Sequence, residues 1–140
     1  MKSILIVDDE RNLRKLLAIT LEHLHITIYE ASDGQQAIEM INRYYPTLVI
    51  LDIMMPGEIN GLDVCRHVKS KPELADISVI MLTAMGQKED YNVGISVGAD
   101  KYITKPFSPL QLLYEIDFFL LKPKVEQVSL GGLNSVNSDN

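Results

Sequence analysis

Residues 4–10 read ILIVDDE: four aliphatic residues, Ile4 to Val7, run straight into three acids, Asp8, Asp9 and Glu10. A short, continuous aliphatic run is what a strand buried on both faces requires, and such strands belong to parallel sheets covered by helices. Four more runs read as strands: Ile26 to Ala31, Leu48 to Leu51, Val79 to Leu82 and Lys101 to Thr104. Amphipathic stretches lie between them. Leu13, Leu16, Leu17, Thr20, Leu21 and Leu24 recur at helical spacing. Ser32 or Asp33 is placed to cap a second helix that carries Ala37, Ile38 and Ile41 inward. Asn60-Gly61 opens a third helix around Val64, Cys65 and Val68. A fourth is expected from Gln87 to Val97 with Gly98 as its C-terminal cap, and a fifth from Ser108-Pro109. Strand and helix in alternation predict an α/β fold, a parallel sheet with helices on both faces.

The chain has 140 residues, one domain's worth, and 46% of them are hydrophobic, enough for a core without staples. Thirteen basic residues against nineteen acidic ones leave a net charge of −6, so no basic footprint for nucleic acid is present. The longest apolar runs are far too short to span a bilayer, and the N-terminus lacks a signal-peptide core. A cytoplasmic protein is expected. Cys65 is the only cysteine, which excludes a disulfide framework and fits a small core hydrophobe. The periodic pattern ends near Glu126, and Gly131-Gly132 and the Ser- and Asn-rich end bury little. The expected division is a folded domain over residues 1–122 and a flexible tail or linker stub over 123–140.

In an open parallel sheet, ligands bind beyond the carboxyl ends of the strands. Asp8, Asp9 and Glu10 follow the first strand, Asp52 the third, Thr83 the fourth, and Lys105-Pro106 the fifth. Each alone has a plain reading: a helix cap, a strand-end hydroxyl, a solvated lysine. Together they aim carboxylates, a hydroxyl and an ammonium at one sheet edge. Clustered carboxylates raise one another's pKa, and a hard divalent cation with one lysine relieves the repulsion. Mg²⁺ suits such oxygen ligands. Acids, metal, lysine and threonine fit phosphoryl transfer, with a carboxylate as nucleophile. Asp52, ending the central strand of the cluster, is the best candidate. No P-loop is present.

ILIVDDE (4–10), LVILDIMMP (48–56), VIMLTA (79–84) and GADKYITKPF (98–107) together resemble the receiver domain of two-component response regulators, over roughly Lys2 to Leu121. The resemblance implies a flavodoxin-like (βα)5 fold, a five-stranded parallel sheet of order 2-1-3-4-5. It implies a phosphoprotein of signal transduction that catalyses only its own phosphorylation and dephosphorylation, rather than an enzyme. Asp52 would accept a phosphoryl group from a sensor histidine kinase or phosphotransfer protein of a phosphorelay. Mg²⁺ would sit on Asp8, Asp9, Asp52 and the Met54 carbonyl. Lys105 would pair with the phosphoryl group, Thr83 would hydrogen-bond it, and Tyr102 would rotate inward as Thr83 shifts. The Lys105–Pro106 bond would be cis. The surface of the fourth helix, fifth strand and fifth helix would then control an effector protein, an output domain or a homodimer.

Three features stand apart from the family pattern. The loop from Pro56 to Gly61 is about one residue longer than the common pattern, and a bulge is the expected accommodation. Met54 and Met85, two residues after Asp52 and Thr83, are apolar and suggest a shielded, long-lived acyl phosphate. The fifth helix is apolar nearly throughout, with Gln111, Glu115, Phe118 and Lys122 expected on its wet stripe. Tyr114 and Phe118 are therefore candidate interface residues. His23, His25 and His67 fall away from the acidic edge, and Tyr44 and Tyr45 read as packing or loop-border residues. Two other readings compete: a receiver-like module that no longer uses phosphorylation, and a haloacid-type phosphatase, which would want a D-x-D after the first strand instead of Asp8-Asp9.

Overall fold

The computed structural model describes residues 2–83 and 97–121. The expected fourth helix up to residue 96, with Met85, and the expected tail at 123–140 lie outside the described residues. Five strands, β1 (Ser3–Val7), β2 (Thr27–Ala31), β3 (Leu48–Asp52), β4 (Ser78–Thr83) and β5 (Lys101–Thr104), form one sheet of order β2-β1-β3-β4-β5. Every pairing is parallel. The sequence runs matched these strands to within a residue at each end.

Side chains alternate across a strand, so continuous aliphatic runs divide between two cores. Leu5, Val7, Val49, Leu51, Val79 and Met81 face one side, where α2 (Gly34–Tyr44) and α3 (Gly61–Ser70) bring Ala37, Ile41, Val64, Cys65 and Val68. Ile4, Ile6, Leu48, Ile50, Ile80 and Leu82 face the other, against Leu17 and Leu21 of α1 (Arg11–Leu21) and Leu112 and Ile116 of the last helix, Pro109–Leu121. Burying each such side chain is worth about 1.5–3 kcal/mol. The central strands β1, β3 and β4 are buried along their whole length, while the edge strand β2 is half-covered.

Local chemistry sets the helix starts. Asp33 accepts the Gln36 N–H at the head of α2, and the side chains of Asn60 and Asp63 each accept the other's backbone N–H in a capping box at the head of α3. Ser108 Oγ accepts the Gln111 N–H before Pro109 opens the last helix. Leu24, expected on the first helix, sits instead in a 3-10 turn, Glu22–Leu24, that ends on left-handed His25. Gly98, expected as a cap, has φ +91°, which favours glycine.

Of the expected wet stripe on the last helix, Gln111 and Phe118 are exposed, Glu115 is not fully so, and Lys122 lies outside the described residues. The exposed face of the helix carries Leu110, Gln111, Tyr114, Asp117, Phe118 and Leu121. Glu115 is drawn down to Lys101 of β5, 3.4 Å away, and keeps only 15% side-chain exposure. A helix this apolar has a small hydrophobic contrast between faces, so the covering of Glu115 is not revealed by the periodicity.

Candidate functional site

The three strand ends at the centre of the sheet bring Asp8, Asp52 and Thr83 into register. Leu51 pairs with Val7 and Met81, and Asp52 pairs with Leu82, next to Thr83. All three side chains are buried: Asp8 is 1% exposed, Asp52 5% and Thr83 2%. Asp9 is exposed above them. Carboxylate oxygens of Asp8, Asp9 and Asp52 lie within 4.8 Å of one another. Glu10, the third acid of the opening motif, does not join them; it is the residue before α1, and its N–H donates to Asp8 Oδ1 at 2.9 Å.

Lys105 enters from the end of β5. Its Nζ lies 3.1 Å from Asp8 Oδ2 and 3.5 Å from Asp52 Oδ2. Its N–H donates to the Thr83 carbonyl, which ties the loop to the end of β4, and the Lys105–Pro106 peptide is cis. Met54 follows Asp52 closely enough for its N–H to donate to Asp52 Oδ1 at 3.3 Å, and its side chain is 71% exposed. Tyr102 is half-buried and packs against the α2–α3 core. Tyr114 and Phe118 lie on the exposed face of the last helix, 72% and 59% exposed. His67 bonds to Asn42 on the outer surface, where burial lowers its pKa.

The electrostatics are unbalanced. One ammonium serves two buried carboxylates, with a third close by. Burial, then the charge of Asp8, raise the Asp52 pKa against the pull of Lys105. Burial draws the Lys105 pKa down, but the hydrogen bond to Asp8 and the charge of Asp52 outweigh it and leave it raised. The cluster carries surplus negative charge and several oxygen donors. That donor set fits a hard cation such as Mg²⁺, which prefers carboxylate and carbonyl oxygens and keeps some waters.

Residues 4–117 match the model of the response regulator receiver domain family. The chain belongs to the response regulator receiver family. The receiver is 45% identical over 112 residues to the phosphate regulon transcriptional regulatory protein PhoB of Pseudomonas aeruginosa, covering 80% of this chain and 48% of that protein. It is 38% identical over 134 residues to a probable transcriptional regulator, ycf27, of Pyropia yezoensis, covering 96% of this chain and 54% of that one. The chain thus spans about half the length of these curated relatives. Among solved structures it resembles the BeF3-activated DrrB receiver domain, at 32% identity and a TM-score of 0.76, covering 87% of this chain and 99% of that one. This is a signalling receiver domain, and its acidic pocket of Asp8, Asp9 and Asp52 is typical of the phosphoacceptor site of that family.

Two parts of the site were not read from sequence. Gly61 approaches the strand end so closely that a Cβ there would lie 2.1 Å from the Asp52 carbonyl oxygen. Its N–H donates to Ile53 O at 2.9 Å. The long loop therefore closes directly onto Asp52. Within the loop Gly57 has φ +96° and open space around it, while Ile59 tucks against the head of α2. The second missed part is Arg14, whose Nη1 donates to the Asp8 carbonyl at 2.8 Å. The acid in β2 that partners it, Glu30, was visible in the sequence, but the pairing needed the register.

Proposed function

We propose that Asp52 is the phosphoacceptor of this receiver, that Mg²⁺ is held by Asp8, Asp9, Asp52 and the Met54 backbone carbonyl, and that Lys105 and Thr83 bind the arriving phosphoryl oxygens. The observation that carries this reading is the single Lys105 ammonium set between Asp8 and Asp52, 3.1 and 3.5 Å away, in a cluster with surplus carboxylate. Asp52 Oδ forms the new bond to phosphorus as the phosphorus–nitrogen bond of a phosphohistidine donor breaks. The electron pair leaves with the imidazole nitrogen. Bound Mg²⁺ would neutralise charge on the transferring oxygens. Lys105 meets the same charge from the other side, and desolvation at the buried Asp52 strengthens that interaction.

The product carries about two negative charges, against one on the free carboxylate, where Lys105 was shared between acids. Lys105 and Thr83 then gain a partner that exists only in the phosphorylated state, which is the differential interaction a two-state shift needs. Tyr102, on the strand that leads to Lys105, is the aromatic that would follow Thr83. The surface of the expected fourth helix, β5 and the last helix, with Tyr114 and Phe118, would pass the change to an effector, an output domain or a second copy. The donor is a sensor histidine kinase or phosphotransfer protein, and the site of action is the cytoplasm. Residues 1–122 form the receiver unit in this reading, and 123–140 the segment beyond it.

Intact-mass spectrometry after incubation with acetyl phosphate tests the chemistry. The expected result is a magnesium-dependent gain of one phosphoryl group that Asp52→Asn abolishes. No gain with folded protein, or an undiminished gain in Asp52→Asn, overturns it.

A further inference from the structure

The Asp8–Asp9 corner is braced from behind by an ion pair that reaches to the sheet edge. Arg14 lies one turn into α1 with its side chain 14% exposed. Nη1 donates to the Asp8 carbonyl at 2.8 Å, and Nε meets Glu30 Oε1 of β2 at 3.2 Å. Glu30 pairs with Ile6 in the sheet register, on the face that α1 covers, so its carboxylate is partly buried and needs a cation. Lys15 reaches the second oxygen, Oε2, at 3.3 Å from the solvent side.

These contacts complete the wiring of Asp8. Its N–H donates to Ala31 O at 3.1 Å, its Oδ1 accepts the Glu10 N–H, its Oδ2 accepts from Lys105, and its carbonyl accepts from Arg14. The carbonyl contact is the one that fixes the Asp8–Asp9 peptide plane. Asp9 is exposed, and that peptide plane carries its N–H and Cα, so the place from which its carboxylate starts follows from the plane. A planar guanidinium held at Nε by Glu30 presents Nη1 to the carbonyl in a set direction, which a lysine at the same place would not do.

We infer that Arg14, oriented by Glu30, is a positioning residue that presets the Asp8–Asp9 corner for a divalent cation. This rests on the reading of the acidic cluster as the cation site. Removing the brace leaves all the ligands in place but makes binding pay for ordering the corner.

The test is Mg²⁺ titration calorimetry on the full chain, at a temperature where circular dichroism shows each variant folded. Asp9→Asn tests the cation site itself; equal affinity in wild type and Asp9→Asn defeats that underlying reading. With that control passed, Arg14→Ala should weaken Mg²⁺ binding about 5–10-fold, Arg14→Lys less, and Glu30→Ala in the same direction by about threefold, as expected for losing an outer support of a metal ligand. Ile41→Val, in the opposite core, should lower stability without moving the Mg²⁺ affinity, which separates positioning from general loosening. Affinities within twofold of wild type in both Arg14→Ala and Glu30→Ala would overturn the inference. If Arg14→Ala fails to fold, Arg14→Lys and Glu30→Ala decide by the same criterion.

Discussion

Two lysine–aspartate pairs sit at opposite ends of the sheet and behave as opposites. At the amino ends of β4 and β5, Lys69 Nζ lies 2.9 Å from Asp100 Oδ2 and donates to Ile77 O at 2.7 Å. Asp100 in turn accepts the Val79 N–H at 2.8 Å and donates its own N–H to Val79 O at 2.9 Å. One ammonium faces one carboxylate there, and backbone groups take up the remaining capacity. At the carboxyl ends, Lys105 faces Asp8 and Asp52 together, with Asp9 nearby. The two lysines are similarly covered, with side chains 18% and 21% exposed. Burial therefore does not distinguish them; charge balance does. The balanced pair is a brace between neighbouring strands. The unbalanced one holds a surplus of negative charge that a bound cation can answer.

The sharpest way to break this contrast is to remove each lysine. Lys105→Met should slow phosphoryl uptake from acetyl phosphate by about 100-fold or more, the usual effect of losing a preset donor to developing charge. Lys69→Met should leave that rate within about twofold but cost roughly 1–3 kcal/mol of stability, since it strands a partly buried carboxylate and a carbonyl. Initial rates by intact mass and urea unfolding measure the two effects. Equal slowing by both substitutions, in folded protein, would refute the division into brace and reactive cluster.

Next in size are two glycines of the loop that closes on Asp52. Gly61→Ala places a methyl group 2.1 Å from the Asp52 carbonyl oxygen, so strand end or helix head must move. A loss of about 2–3 kcal/mol is expected, together with slower phosphoryl uptake, because the displaced atom belongs to the acceptor. Gly57→Ala meets nothing within 4 Å and pays only for its positive φ, about 1 kcal/mol, with uptake unchanged. Thermal melts with the same uptake assay compare them. Similar uptake defects in both would mean that the loop acts as a whole and that contact with Asp52 is not what matters.

The pH dependence of stability carries the same contrast. Burial and Asp8 raise the Asp52 pKa above its ordinary 3.8, so the native state holds that proton more tightly than the unfolded chain does. Stability thus falls as pH rises from the ordinary value through the raised one, and the full deficit persists above it. Without metal, Asp52→Asn should melt higher than wild type at pH 7.5, and the advantage should vanish as pH drops below about 4. Saturating Mg²⁺ should stabilise wild type and narrow the gap. Asp100→Asn, in the balanced pair, should melt lower at pH 7.5. Scanning calorimetry across the pH range decides, and a lower Tm for metal-free Asp52→Asn at neutral pH would contradict the surplus-charge account.

Sequence showed one side of this comparison and missed the other. Asp8, Asp52, Thr83 and Lys105 each follow an aliphatic run, so their convergence could be read from strand polarity alone. Lys69 and Asp100 sit in a helix tail and a loop, thirty-one positions apart, and meet only because β4 and β5 pair in one particular register. Arg14 and Glu30 are hidden in the same way. The last helix was legible as a helix from Ser108-Pro109, and its exposed face was legible at Gln111 and Phe118 but not at Glu115. Glu115 is covered through its pairing with Lys101 of the neighbouring strand, a contact that the helical period does not reveal.

The smallest expected effect concerns Met54. Its place two residues after Asp52 suggests an apolar shield over the acyl phosphate, but the side chain is 71% exposed. A thioether that lies mostly in solvent covers little of the acceptor. The Met54 N–H, by contrast, touches Asp52 Oδ1 at 3.3 Å, and no side-chain substitution removes it. Met54→Ala should therefore change the phosphoryl half-life by less than about threefold, a barrier change below ~0.7 kcal/mol. Thr83→Ala should change phosphoryl uptake or turnover by more, because Thr83 is 2% exposed and ends the strand beside the acceptor. Following loss of the phosphoryl group by intact mass after removal of the donor gives both numbers. A tenfold shortening in Met54→Ala would show that the side chain folds over the site once Asp52 is phosphorylated, and exposure in the unphosphorylated state would then be a poor guide to shielding.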